Sequence, residues 1–259
     1  LVLGVNLHFG YTGLGNLGQV AFYCIGAYIS ALIAQSGIGM VAGAVLGMAG
    51  AALAAFFLGL VSLRLRAEFL AIVTLGFAET VRLIALNETW LTRGSEGMAA
   101  WQPFVTGSPA QREYVYLILV AVIAVLAILV VTRLTGSSFG RLMRAIRDSE
   151  ESVQAIGKSP LSVKMKVLMI GAAMGGLAGS LQAHYIGYIS PDQFSSDVTF
   201  LVWMAMLIGG SGRIAGSVLG VIILMVMFEG SRFLNGVIPF ISDVQMAYIR
   251  MGLIGLLLI

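Results

Sequence analysis

Arg141, Arg144, Arg147 with Asp148, and Glu151 recur at three- to four-residue intervals, the spacing that lines charges along one side of a helix. Leu142, Ala145 with Ile146, Val153, and Ile156 with Gly157 run beside them as a partly apolar stripe, and Gly157 and Pro160 stop the pattern. No nucleophile–base pair is recognisable in it. Its chemistry is recognition: a socket for a soluble partner, with a solvated loop helix as the alternative. Seven of the fifteen Lys and Arg residues fall in this one stretch, namely Arg133, Arg141, Arg144, Arg147, Lys158, Lys164 and Lys166.

Resemblances to catalytic motifs fail on context. SVQAIGKS at 152–159 nearly spells a phosphate-binding loop, but Ser152 replaces the first glycine and Pro160 follows where a helix should run. GGSG at 209–212 looks like the GxSG of intramembrane serine proteases, yet no histidine follows Ser211. His8 and His184 have no carboxylate or cysteine partners at ligand spacing, which points to packing or interface roles. Cys24 is the only cysteine, so an intrachain disulfide and a Cys-based metal site are excluded.

Other polar groups stand out against apolar surroundings. Glu79 and Arg82, three apart, can pair on one helix face, either as an interfacial pair or on a solute path. Glu229 and Arg232 share that spacing, and Arg250 follows Asp243 by seven residues, facing the bundle interior or snorkelling to the surface. FGYTGLGNLGQ at 9–19 is too rich in glycine for a continuous helix. It reads either as a cytoplasmic turn or as a broken segment whose freed amides, with Asn16 and Gln19, face a solute.

The elements that hold these residues are membrane helices. The chain is 59% hydrophobic and 10% charged, and no Asp, Glu, Lys or Arg occurs from Leu1 through Leu63. One crossing takes ~20 apolar residues. YVYLILVAVIAVLAILVVT at 114–132 is the clearest span, and others are expected at about 18–35, 38–62, 68–86, 166–187, 198–211, 214–232 and 244–259. The fold class is therefore an all-α integral membrane protein, a polytopic bundle of about eight transmembrane helices with some segments re-entrant or broken. A single domain covers 1–259, with a polar loop at about 134–165. The chain starts at Leu1 without a Met and stops inside LLLI, so the expectation is a piece trimmed at both ends with its first helix partly missing.

Arg64 and Arg66, the Arg133 to Lys166 loop, and Arg213 alternate onto one face, which the positive-inside rule makes cytoplasmic. The basic residues gather at helix ends and form no nucleic-acid patch. Gly171, Gly175 and Gly179 fall on one face of one helix, and Gly212, Gly216 and Gly220 on one face of another. This spacing serves tight helix packing or, alternatively, a sliding surface during gating.

Several stretches in order carry a family resemblance: GYTGLGNLGQVAFYCIGAY (10–28), LAIVTLGFAETVRL (70–83), LTRGSEGM (91–98), GRLMRAIRDSEESVQAIG (140–157), GGLAGSLQAHYIGYISPDQF (175–194) and LIGGSGRIAGSVLG (207–220). Together they resemble the LivM-type permease subunits of bacterial ABC importers for branched-chain amino acids. The resemblance implies a multi-pass permease of the bacterial inner membrane that hydrolyses nothing itself. It also implies a homologous second permease of the LivH type, two cytoplasmic ATPase subunits carrying ATP and Mg²⁺, and a periplasmic solute-binding protein. On the same basis, Arg141, Arg144, Arg147, Glu151 and Gly157 belong to the segment that contacts the ATPase. Arg93 stands where relatives often carry glycine, Gly15-Asn16 replaces a Gln-Leu or Gln-Ser pairing, and Ser152 and Val153 replace alanines of the coupling motif. Similar membrane subunits import urea, short amides, other amino acids or sugars, and a self-contained secondary transporter is the rival of another class.

Overall fold

In lipid every backbone N–H and C=O must be paired within its own segment, so charge-free apolar stretches fold as helices. The computed structural model describes residues 1–37, 39–65, 67–100 and 109–235. Helix α1 (Val2–Val5) runs into a π-helical turn (Asn6–Gly10), followed by α2 (Gln19–Gln35), α3 (Met40–Ser62), α4 (Ala67–Asn87) and the short α5 (Thr89–Thr92). Strand β1 (Met98–Ala99) precedes α6 (Pro109–Gly136), α7 (Ser138–Asp148), α8 (Glu150–Ala155) and α9 (Pro160–Ile186). Strand β2 (Tyr188–Ile189), α10 (Ser196–Gly209) and α11 (Ile214–Asn235) complete the order.

By length and composition, α3, α4, α6 and α9 can each cross a membrane, and α10 with the described part of α11 makes a pair bent by 119°. The two short spans expected at 198–211 and 214–232 are thus halves of one broken span or a re-entrant loop. The expected span at 244–259, with Asp243 and Arg250, lies outside the described residues, as do Arg66 and the side chain of Arg232. Two boundaries move outward. The 114–132 span lengthens to Pro109–Gly136, and the 166–187 span begins at Pro160. Proline lacks the N–H that the first helical position leaves unpaired, so the residue expected only to stop one helix also starts the next.

The centre of the bundle is a trio of α2, α3 and α9, each packed on the other two, where small residues let backbones touch. A Cβ built on Gly26 would lie 2.1 Å from the Gly176 carbonyl oxygen, and one on Gly47 2.5 Å from Ser180 Oγ. Ser180 Oγ donates to the Gly26 carbonyl at 3.1 Å, adding a polar tie to the dispersion contacts. In contrast, α6 turns Leu117, Ile118, Leu126 and Val130 outward as a lipid-facing surface.

The small sheet fixes one end of the bundle. Met98 pairs with Ile189 and Ala99 with Tyr188, antiparallel, so the segment after α5 meets the segment after α9. The polar insert meets the 6–13 and 210–213 turns, with Arg147 against Gly10 and Gly212.

Candidate functional site

Ser137 caps α7, its hydroxyl accepting from Gly140 N. The turn out of α6 is so tight that a Cβ on Gly140 would lie 2.0 Å from the Thr135 carbonyl oxygen. Met143 and Ile146 then point inward, joining Leu7, Tyr11, Val131, Val153 and Val167 in one apolar cluster. The expected continuous helix through 141–157 is corrected here: Ser149 is extended (φ −160°, ψ 109°), ends α7 and caps α8 by accepting from Ser152 N. A serine hydroxyl competes for nearby backbone N–H groups, which favours a cap over helix continuation. The apolar stripe is also corrected. Met143 belongs to it, whereas Ala145, Ile156 and Gly157 are exposed, Ile156 by 70%. Gly157 ends the element at φ +75°.

This arrangement sorts the loop charges by direction. Arg141 and Glu151 face solvent. Arg144 Nη1 donates to the Thr135 carbonyl at 3.2 Å, Arg147 Nη1 donates to the Gly10 carbonyl at 2.7 Å, and Lys164 pairs with Glu150. The outer side of α7–α8 therefore presents Arg141, Asp148, Glu151 and Ile156, the inner side is tied to the bundle, and Arg147, bonded to Gly10 yet exposed, stands at the edge between them.

The glycine-rich stretch at 9–19 lies within a polar knot. Asn16 Oδ1 accepts from Gly18 N at 2.8 Å, which fixes the amide so that Nδ2 faces His8 Nδ1 at 3.0 Å. His8 Nε2 lies 3.2 Å from the Leu168 carbonyl, which can only accept. The ring is thus the Nε2–H tautomer, donating to Leu168 and accepting from Asn16. Gln19 Nε2 donates to the Gly171 carbonyl at 3.0 Å, and its buried Oε1 has no partner among the described residues. Thr74 Oγ1, Thr199 Oγ1 and Trp203 Nε1 bind the backbone of Leu17, Val20 and Asn16 at 3.0, 3.1 and 3.0 Å. The irregular backbone is therefore paired by side chains from α4 and α10, as burial away from water requires.

The third part is the turn between α10 and α11. Gly212 N donates to Asn6 Oδ1 at 2.8 Å and Asn6 Nδ2 donates to the Arg213 carbonyl at 3.3 Å. Gly212 is corrected from its expected place on a helix face: it sits in this turn at φ +79°, where the left-handed backbone suits glycine. Gly216 and Gly220 do lie on α11, where an added Cβ would stand 2.0 Å from the Gly209 oxygen and 1.9 Å from the Ala205 oxygen of α10. Gly171, Gly175 and Gly179 line α9. A Cβ there would meet His8 Nε2 at 2.1 Å, Gln19 Nε2 at 2.9 Å and the Tyr23 oxygen at 1.9 Å, respectively.

Of the residues considered for a solute path, Asn16 and Gln19 are 0% and 1% exposed, with the Asn16 amide and the Gln19 Nε2 bonded inside the knot. Glu79 and Arg82 pair at 3.0 and 3.1 Å further along α4, partly exposed. A cavity of about 710 Å³ opens among α6, α9, α10 and α11, with Ile123, Leu181, Val202, Val221, Met225 and Gln182 on its walls, and none of those four residues lines it. Nothing in residue spacing singles out Asn6, Thr74, Thr199 or Trp203. The available signal for Asn6 and His8 is a polar side chain in an otherwise apolar stretch.

The bundle, its broken elements and its polar insert define a polytopic α-helical membrane protein. The sequence profile described as "branched-chain amino acid transport system / permease component" matches residues 1–259. The chain is 35% identical over 91% of its length to the high-affinity branched-chain amino acid transport system permease protein LivM of Salmonella typhimurium, and equally to that of Escherichia coli K12. It spans 61% of the length of each of those two proteins. A probable LivM permease of Methanocaldococcus jannaschii is 28% identical over 99% of this chain and 86% of its own. No solved structure matches the chain significantly. The chain belongs to the family of branched-chain amino acid transport system permease components.

Proposed function

We propose that this chain is one membrane-spanning, non-hydrolysing half of an ATP-driven importer, with branched-chain amino acids as its solutes. The observation that carries this reading is the full-length family match in a chain whose polar insert keeps an outward charged face. Its partners on this reading are a homologous LivH-like permease, two cytoplasmic ATPase subunits that hold ATP and Mg²⁺, and a periplasmic solute-binding protein, all at the bacterial inner membrane. The ATPase contact is assigned to the exposed side of α7–α8, with Arg141, Glu151, Ile156 and Gly157. ATP binding closes the ATPases, their motion moves α7–α8, and the bundle rocks between outward- and inward-open states. ATP biases the two states only if the partner binds them with different affinities.

One relative supports keeping a second solute class. The autoinducer 2 import system permease protein LsrC of Yersinia pseudotuberculosis is 24% identical over 81% of this chain. Reconstitution with the subunits encoded beside this chain, followed by uptake assays with labelled amino acids and small amides, tests the reading. ATP-dependent uptake of leucine, isoleucine or valine is expected. Uptake confined to another solute would move the substrate assignment, and uptake without ATPases would remove the importer reading.

A further inference from the structure

Arg147 stands where three segments distant in sequence converge. Met143 and Ile146 fix the inner face of α7, and Arg147, four residues beyond Met143, stands at the edge of that face with its side chain 40% exposed. Its Nη1 donates to the Gly10 carbonyl, 137 residues away in the chain. That carbonyl closes the π-helical turn, and a helix C-terminus both leaves carbonyls unpaired and favours a cation. Three glycines clear the space. A Cβ on Gly13 would approach Arg147 Cγ to 3.3 Å, one on Gly212 would approach Nη1 to 3.3 Å, and one on Gly10 would meet Gly212 N at 2.4 Å. Asn6 then joins the 6–13 turn to the 210–213 turn through its two bonds to Gly212 and Arg213. One guanidinium is therefore the handle of α7 on both irregular turns.

We propose that Arg147 is a positioning residue that transmits movement of α7 to the 6–13 and 210–213 turns, and that it is not a contact for the ATPase. The proposal rests on the ATP-driven reading above. Its chemistry calls for arginine: the rigid fork reaches the Gly10 carbonyl while still pairing with Asp148 Oδ1 at 3.2 Å, and lysine has no fork. Asn6, Gly10, Gly13 and Gly212 form the socket and Arg147 the key.

The test uses the assembled complex in proteoliposomes with labelled leucine, comparing wild type, Arg147→Ala, Arg147→Lys and the outward-facing control Arg141→Ala. Bound ATPase, ATP hydrolysis and leucine uptake are read together. Arg147→Ala is expected to keep its ATPase subunits while leucine carried per ATP falls roughly tenfold, and Arg147→Lys to recover part of that ratio. Arg141→Ala is expected to weaken ATPase binding instead. An unchanged leucine-to-ATP ratio in Arg147→Ala overturns the proposal. So does loss of ATPase subunits from a folded Arg147→Ala bundle, which makes the residue a docking contact. If Arg147→Ala fails to fold, Gly212→Ala, which narrows the socket from the other side, is read the same way, and an unchanged ratio there overturns it. Uptake by the wild type that ignores ATP sinks the importer reading itself, a result distinct from all of these.

Discussion

The α2–α3–α9 interface and the junction of α7 with the two irregular turns hold together by opposite means. The first is backbone on backbone: Gly26 on Gly176, Gly179 on the Tyr23 carbonyl, Gly176 on the Gly47 carbonyl. The second adds, to an apolar cluster of Leu7, Tyr11, Met143 and Ile146, a set of single hydrogen bonds among Asn6, His8, Asn16, Arg147, Gly10 and Gly212. Close packing resists small displacements, because any shift meets a hard wall or loses many weak contacts at once. Discrete polar bonds can break and re-form one at a time. A transporter driven from one side needs both, a stiff element that carries force and a seam that changes shape.

The largest effect is expected in the stiff region. Gly179→Leu places its first side-chain carbon 1.9 Å from the Tyr23 carbonyl oxygen, and overpacking at backbone costs ~3 kcal/mol or more. Loss of monodisperse protein after detergent extraction is expected. A normal elution profile would show that α2 and α9 are not in the contact described.

A smaller effect is expected in the seam. His8→Ala removes the partner of both Asn16 Nδ2 and the Leu168 carbonyl, a cost of about 2–4 kcal/mol once the vacated space is included. The bundle should still fold, with a lowered midpoint in thermal unfolding. An unchanged midpoint would mean that the knot is not formed.

The smallest effect is expected at Arg93, the only non-glycine residue with positive φ among the described residues, at +61°. A left-handed backbone costs a side-chain-bearing residue roughly 1–2 kcal/mol, partly offset by the extra freedom glycine has when unfolded. Arg93→Gly should therefore raise the unfolding midpoint slightly. A fall would assign Arg93 a contact that outweighs its backbone strain.

Much of this architecture is readable in the residues themselves. The absence of charge through Leu63, the uncharged apolar run at 114–132, and the small-residue spacing of Gly171, Gly175 and Gly179 each announce their helices. Gly157 and Pro160 mark the end of the insert. The family resemblance agrees with the profile match over the whole chain. What periodicity leaves out is direction. Arg141, Arg144 and Arg147 share a spacing, yet Arg144 and Arg147 reach carbonyls on other segments while Arg141 stays outside. Spacing along one helix does not contain the position of Gly10 or Thr135. Likewise the break at Ser149 depends on one capping hydroxyl, too local a cause for a helical repeat to register. Asn16 and Gln19 are polar enough to suggest a solute, but only the fold brings His8 and Gly171 to them.

Hydrogen–deuterium exchange on the reconstituted complex, with and without a non-hydrolysable ATP analogue, tests the division between stiff core and changing seam most directly. Altered protection is expected at residues 6–19, 137–157 and 210–213, with the amides of α2, α3 and α9 unchanged along their shared contact. Altered exchange throughout α2, α3 and α9 with none at the three polar segments would contradict it.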